Sequence, residues 1–339
     1  MKSRKTRKRF PVVHLKISLI FLCLLILFFD CALIPGVDSY RADEIARGPD
    51  FAPYFGLKRR IAIVDFENLA DFGGQKLGSA VADQLISHVA RSNRFVLIER
   101  SRIEQVLQEQ ALGQSGTITE ETAAQVGKLL GVECLVLGKI FDARQETQNK
   151  KIDNEEKEWS LKLKATVGIV HISYKMVNTT TGEILLADDV SETEIKPGFG
   201  LKTKDVDLEN MFEFDETVLG IAVRKAVNKI AQDIVDNASV IEWIGKVVQS
   251  SADTLIYFTP GRGAGVKLEQ LFDIYETVDS EAEELPNEDL NEYNQSKARI
   301  KVTGFIGDKV ARGKVIQGEN IKRGDTVKLA KNIDNNNSK

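Results

Sequence analysis

The segment from Arg60 to Ala90 constrains the fold more than any other part of the chain. Its first seven residues, RIAIVDF, are apolar on both faces, which is typical of a strand covered on both sides of a sheet. The residues that follow form one apolar stripe of a helix, with side chains four positions apart: Leu77, Val81, Leu85 and Val89. The sequence therefore predicts a layered fold that opens with a buried strand and an amphipathic helix.

The alternation of strands and helices continues to about residue 140. A strand, RFVLIE, is followed by SRIE, where Ser101 and Glu104 form a capping box at the start of a second helix. A third helix is predicted in TEETAAQVGKLLG, with Thr119 as its N-cap and Gly131 at its C-terminal end. VECLVLGKI then supplies another buried strand. The predicted fold class is α/β (α+β).

A long β-hairpin is predicted after this layered region. From Leu161 apolar and polar residues alternate, the chain turns at NTTTGE, and it continues as the strand ILLADDV. The apolar phase slips near Ile169 to Ile172, which predicts a bulge or a change of buried face. Residues 143–160 are almost wholly polar and fit either an exposed loop or a loose hairpin.

A long amphipathic helix follows in FDETVLGIAVRKAVNKIAQDIVDNA and is expected to lie across the sheet. Beyond it the composition changes to short strands separated by glycine turns, which predicts a small β-barrel. The strands are LIYFT, LFDIYETV, ARIKVTGFIG, KVARGKVI and DTVKLA. We divide the chain into a signal peptide, a linker, an α/β domain, a small all-β barrel-like domain and a disordered tail: residues 1–39, 40–57, 58–242, 243–330 and 331–339.

The N-terminus predicts export. A basic decapeptide is followed by the apolar run from Ile17 to Phe29, which has the length of a signal peptide and not the roughly 20 residues of a bilayer span. We expect cleavage near Ser39 and a location in the periplasm or the outer-membrane-associated cell envelope. Cys31 follows Phe29 and Asp30, whereas a lipidation site needs a small residue before the cysteine, so lipidation stays open.

Export changes the charge balance. The first 39 residues contain seven Lys/Arg and two Asp, so their removal takes the formal net charge from −4 to about −9. A protein that neutralises phosphates needs the opposite sign, and nucleic-acid binding is disfavoured. Cys134 lies in an apolar strand, which predicts a buried thiol and not a redox centre.

No motif predicts a cofactor, a metal or a catalytic residue. GGQKLG lacks the spacing of a phosphate loop, and TPGRGAGVK joins two predicted strands as a turn. His88 and His171 have no metal-ligating residue at a suitable spacing. Glu99 and Arg100 end a buried strand, and we expect Arg100 to tether the next helix through Glu109 or Gln110.

Four segments, in this order, resemble the CsgG family of curli production assembly/transport components over roughly residues 58–240. They are IAIVDFEN, RFVLIERSRIEQVLQEQALGQSG, TAAQVGKLLGVECLVLGKI and SYKMVNTTTGEIL. The resemblance implies a periplasmic domain similar to an anticodon-binding-domain fold, without enzymatic activity. The positions that match the family pattern are Asp65, Phe66, Glu99, Arg100, Glu109, Gly138 and Gly182, and we add Asn68, Ser101 and Glu104 as structural turn and cap residues.

The C-terminal β-domain resembles that of the flagellar assembly protein FlgT. The chain is therefore expected to be a non-catalytic exported scaffold that contacts envelope proteins during assembly of a secretion, flagellar or other surface structure. Homo-oligomerisation and peripheral association with the outer membrane are left open.

Two alternatives remain. One is an oligomeric CsgG-like outer-membrane pore, with membrane hairpins after GKIFDA and after LLADDV. Both segments are highly charged, and a lipid-facing Lys or Arg costs about 2–4 kcal/mol at the bilayer midplane. The other is an envelope hydrolase that uses Asp65 and Glu67, which strand spacing places on one side of the chain.

Overall fold

The computed structural model describes residues 47–109, 125–127, 129–154, 159–197, 217–251, 254–277 and 295–330. From Gly48 onward the chain forms one compact unit. This unit contains a mixed six-stranded sheet with helices packed on it and a closed six-stranded β-barrel. The structure confirms mixed α/β content and the barrel.

The mixed sheet is built from six strands in the order β3, β1, β4, β5, β6, with β2 paired to β4. Its β1 runs parallel to β3 and β4, and β5 is antiparallel to both β4 and β6. The strands are β1 Arg59–Ile63, β2 Glu67–Asn68, β3 Phe95–Leu97, β4 Cys134–Asn154, β5 Trp159–Asn178 and β6 Ile184–Pro197.

Helices cover both faces of this sheet near β1. The helices are α1 Gly74–Arg91, α2 Arg100–Glu109 and α3 Val218–Asp236. Ile61 and Ile63 pack with α1 and α3 in the main core, whereas Ala62 packs with Ile103 of α2 and Val126 on the other face. The predicted coverage of the first strand on both sides is confirmed. Within the described ranges, no helix has both the length and the apolarity to cross a bilayer.

The structure begins α2 earlier than the sequence predicts. The helix starts at Arg100, and the carbonyl of Glu99 accepts from the backbone N–H groups of Arg102 and Ile103 at 3.1 and 3.3 Å. Ser101 is therefore an exposed residue of the first turn and not the N-cap. Gly131, which the sequence places at the C-terminal end of the helix predicted in TEETAAQVGKLLG, has φ +67. This is the left-handed conformation that glycine adopts without strain at a helix end, as predicted.

The described residues of the polar segment, 143–154 and 159–160, belong to two paired antiparallel strands. Strands β4 and β5 stay paired along their whole length, up to the partners Asn154 and Trp159. Of the two forms that the sequence left open, the strand pairing favours the hairpin, and residues 155–158 lie outside the described part. The predicted phase slip corresponds to a bulge on the partner strand, where β4 shifts register between Ile140 and Asp142 opposite Ile172. β6 continues to Pro197 and is longer than ILLADDV.

The barrel contains all five predicted strands and one that the sequence reasoning missed. Its strands are β7 Gly245–Ser251, β8 Leu255–Thr259, β9 Leu271–Tyr275, β10 Ala298–Ile306, β11 Val310–Gly318 and β12 Thr326–Leu329. Trp243, Phe258 and Phe272 pack in its core. Leu57, which the sequence places in a linker, is also buried there, so the chain before β1 contributes to the barrel.

Candidate functional site

A groove crosses the mixed sheet from the β1–β2 segment to the edge strand β6. Its volume is about 360 Å³. Its floor is one cross-strand row, formed by Glu67, Lys139, Ser173 and Asp189. These residues alternate with the buried Ile140 and Ile172 and so lie on the face opposite the main core. A second cavity of about 380 Å³ adjoins the groove through Tyr174, Asp188 and Asp189.

The two carboxylates proposed for catalysis both line this groove. The Oε2 atom of Glu67 lies 2.9 Å from Lys139 Nζ. The Oδ2 atom of Asp65 accepts a hydrogen bond from Ser79 Oγ at 2.7 Å. Each of the two carboxylates therefore makes a polar contact with a neighbouring side chain.

Asn68 holds the turn that leads into α1. Its Nδ2 donates to the carbonyls of Phe72 and Gly74, both at 2.8 Å, and its Oδ1 accepts from the N–H of Ala70 at 3.1 Å. The helix has no side-chain cap at Gly73, which has φ 80. The side-chain amide of Asn68 therefore hydrogen-bonds three backbone groups of this turn, as asparagine side chains commonly do in turns.

The family-pattern residues whose side chains the structure describes lie at several places and do not form one site. Phe66 is fully buried, with Gly138 under its ring. Gly182 has φ +76 in the turn between β5 and β6, where its N–H donates to the carbonyl of Asn178 at 2.9 Å. Glu99 is exposed at the start of α2. The side chains of Arg100, Glu104 and Glu109, and residue Gln110, lie outside the described part.

Sequence reasoning missed the contact that joins the groove to α3. The hydroxyl of Tyr174 donates to Asp233 Oδ2, and Asn237 Nδ2 donates to the other carboxylate oxygen at 3.0 Å. Burial, and then the Asp233 carboxylate, raise the pKa of Tyr174 above its usual value. Ion pairs of Lys225 with Glu194, and of Lys229 with Glu192, also tie this helix to β6. No local pattern reveals a pair that is 59 residues apart.

Glu133 is a second group that the sequence reasoning passed over. It is 6% exposed, and its carboxylate accepts from the backbone N–H of Arg60 and lies 3.3 Å from Arg60 Nε. Burial raises the pKa of Glu133 to about 7, although Arg60 acts in the opposite direction. A usable signal was present, because an acidic residue at the start of the apolar run VECLVLG needs a partner.

The histidines have structural contacts and do not share a site. His88 is buried, its Nδ1 lies 2.6 Å from an Arg91 guanidinium nitrogen, and burial with Arg91 and Arg224 lowers its pKa to about 4. His171 Nε2 lies 3.2 Å from Asp189 Oδ2, beside the ring of Phe141. In the part of the chain described, no three His, Cys, Asp or Glu residues are grouped to hold a metal.

Cys134 is buried, as the sequence predicts. Burial raises the pKa of its thiol to about 12, so the reactive thiolate is not formed near neutral pH. The cysteine therefore acts as a small apolar side chain of the main core.

The chain is similar to the model of one protein family and to several individual proteins. The family model described as "Curli production assembly/transport component CsgG" matches residues 52–252, which span the mixed sheet, its helices and β7. A protein of Neisseria meningitidis serogroup B, named "Putative lipoprotein NMB1126/NMB1164", is 23% identical over 217 residues, which cover 60% of this chain and 88% of that protein.

Two solved structures are also similar in part. Lipoprotein GNA1162 from Neisseria meningitidis has 12% identity and a TM-score of 0.30, over 51% of this chain and 99% of that one. A PelC dodecamer from Paraburkholderia phytofirmans has 10% identity and a TM-score of 0.27, over 54% of this chain and 90% of the PelC chain.

Proposed function

The chain belongs to the CsgG family, whose model matches more than half of it, and we propose that it is a non-catalytic, exported envelope protein that assists assembly through protein contacts. The basic and apolar N-terminal residues support export. The name of the Neisseria relative as a lipoprotein supports an envelope location. The observation that carries the proposal is the groove, whose carboxylates make structural contacts and whose charges alternate in sign.

The groove suits a charged segment of another protein. Along its floor a negative charge at Glu67, a positive charge at Lys139 and a negative charge at Asp189 follow one another. Such a row selects partners whose charges run in the complementary order, which favours specificity over affinity. A volume of about 360 Å³ holds a few side chains, so the groove would receive an anchor segment of a larger interface.

The proposal includes the fold type of each domain, the structure that is assembled and the role of the family-pattern residues. The mixed sheet with α1 and α3 on one face supports an anticodon-binding-domain-like fold for residues 58–242, and the closed barrel supports a FlgT-like domain for residues 243–330. The assembled structure would be a secretion, curli-type or flagellar surface structure, reached from the periplasm or the outer membrane. In this proposal the family-pattern residues act by holding the fold, namely Asp65, Phe66, Glu99, Arg100, Glu109, Gly138 and Gly182. The added turn and cap candidates Asn68, Ser101 and Glu104 have the same role.

Site-specific crosslinking tests the proposal. A photo-crosslinking residue at Ser173, on the groove floor, is expected to yield a discrete protein adduct in the envelope fraction, and the adduct should disappear with Lys139→Glu. The same residue at Glu319, which is exposed on the barrel, serves as the matched control and should yield no such adduct. Recovery of the protein in the cytoplasm, or equal adducts at both positions, would contradict the proposal.

The hairpin favours a second candidate, a CsgG-like pore. Strands β4 to β6 extend as paired strands into both segments in which the family resemblance places membrane hairpins, as far as Asn154 in the first and Pro197 in the second. Arg144, Glu146 and Lys196 are exposed on these strands, which opposes insertion into lipid. Heat-resistant oligomers and ion conductance across planar bilayers would support the pore over the scaffold.

A further inference from the structure

The outer face of the barrel carries a patch in which basic and aliphatic side chains lie together. Arg312, Lys314 and Ile316 are exposed on β11, and Lys301 of β10 is the cross-strand partner of Lys314. Ile306, at the end of β10, is 60% exposed, and Ile316 is 52% exposed. These five residues, Lys301, Ile306, Arg312, Lys314 and Ile316, are called the β10–β11 patch.

Two of the three cations of this patch are unpaired among the described residues. Lys301 pairs with Glu269 at 2.6 Å, but Arg312 and Lys314 form no ion pair with any residue in the described ranges. Other acidic residues of the barrel are occupied by different partners, Asp273 by Arg299 and Asp325 by Lys297. Like charges placed opposite each other on a sheet are destabilising. Among the described residues the patch therefore has an excess of cations, which an external anion would offset.

The exposed isoleucines identify the kind of anion. Ile306 and Ile316 lie at opposite ends of the cation row, because the β10–β11 register places Arg312 and Lys314 between them. In water these side chains gain nothing from exposure, and in the strand register each lies next to one cation of the row. At a lipid surface, aliphatic side chains enter the headgroup region while nearby Lys and Arg bind lipid phosphates.

We propose that the β10–β11 patch docks the barrel onto membranes that contain anionic phospholipids. A soluble polyanion, such as an acidic glycan or a nucleic acid, would use Arg312 and Lys314 but not the isoleucines. The net negative charge of the exported chain makes the attraction local and sensitive to salt. The inference depends on barrel residues alone, so it survives or fails independently of the protein-binding groove.

Vesicle co-sedimentation tests the inference. A form that begins at Tyr40, and therefore lacks Cys31 and any acyl chain, is mixed with phosphatidylethanolamine vesicles that contain either phosphatidylglycerol or phosphatidylcholine. We expect binding to the anionic vesicles only, weakening as salt is added. Because each basic residue near an anionic surface contributes about 1 kcal/mol, Arg312→Gln with Lys314→Gln should weaken binding about thirtyfold. Ile306→Ser with Ile316→Ser should also weaken it.

The matched control is Lys322→Gln with Arg323→Gln, which removes the same charge from a turn before β12. It should change vesicle affinity less than about twofold, because these two residues lie outside the β10–β11 patch and Lys322 is already paired with Glu276. Equal denaturation midpoints would show that all variants fold. The proposal is overturned by equal binding to both vesicles, by absence of vesicle binding, by an equal effect of the control, or by polygalacturonate or single-stranded DNA binding the patch when vesicles do not.

Discussion

The ring of Phe66 lies against Gly138 so closely that a Cβ at this glycine would overlap three atoms of the ring. Phe66 is fully buried in the core formed by the mixed sheet with α1 and α3. On its other side Gly78 of α1 approaches the backbone carbonyl of Phe66, where a Cβ would also overlap. The position of Phe66 therefore leaves no room for a side chain at Gly138 on β4 or at Gly78 on α1.

Gly138→Ala is expected to destabilise the protein by about 1–3 kcal/mol, because the added methyl group overpacks the core against Phe66. The denaturant midpoint should fall without a change in slope. The control is the same substitution combined with Phe66→Leu, which removes the ring. If strain against the ring is the cause, the cost of Gly138→Ala is smaller in that background, and equal costs in both would refute it.

The sequence predicts the elements of this fold better than it predicts the groove. Periodicity locates α1, α3 and five barrel strands, because burial on one face or both leaves a local pattern. β7 was missed because GKVVQSS has few apolar residues and leads into a polar segment. Leu57 was assigned to a linker because only the folded chain shows that it enters the barrel core.

The candidate site could be anticipated only in part. Strand spacing correctly places Asp65 and Glu67 on the same groove. Their partners, Ser79 and Lys139, come from α1 and β4, and no spacing along the chain specifies such contacts. The row that crosses from β2 to β6 depends on strand register, which is set by bulges and turns distributed over more than a hundred residues.

Glu133 gives the stability a specific pH dependence. Its pKa is raised from 4.5 to about 7 in the folded protein, so the native state holds a proton that the unfolded chain has already released. The stabilising contribution of Glu133 to the free energy of unfolding is fully present below pH 4.5 and is lost as the pH rises through about 7. The difference in unfolding free energy between the wild type and Glu133→Gln should therefore decrease over this window in urea titrations. Identical pH profiles of the wild type and Glu133→Gln would contradict this assignment.

His88 gives the free energy of unfolding a pH dependence of the opposite sign to that of Glu133. Burial, with the charges of Arg91 and Arg224, lowers its pKa from 6.5 to about 4, so the unfolded chain binds a proton that the native state rejects. The contribution is present above pH 6.5 and is lost as the pH falls through about 4. His88→Asn should flatten this acid-side loss, measured as the unfolding free energy at each pH. An unchanged acid limb in His88→Asn would show that other groups cause it.

The hydrogen bond from Tyr174 to Asp233 is expected to hold α3 against the end of the groove. Tyr174→Phe removes the donor and keeps the ring, which is 3% exposed, in place. Hydrogen bonds to charged groups contribute about 1.5–3 kcal/mol, and the partly buried carboxylate places the loss near the lower end. Tyr257→Phe is the matched control, because no described residue bonds its hydroxyl, and it should change the denaturant midpoint little. Equal losses in the two variants would mean that the Asp233 contact does not stabilise the helix.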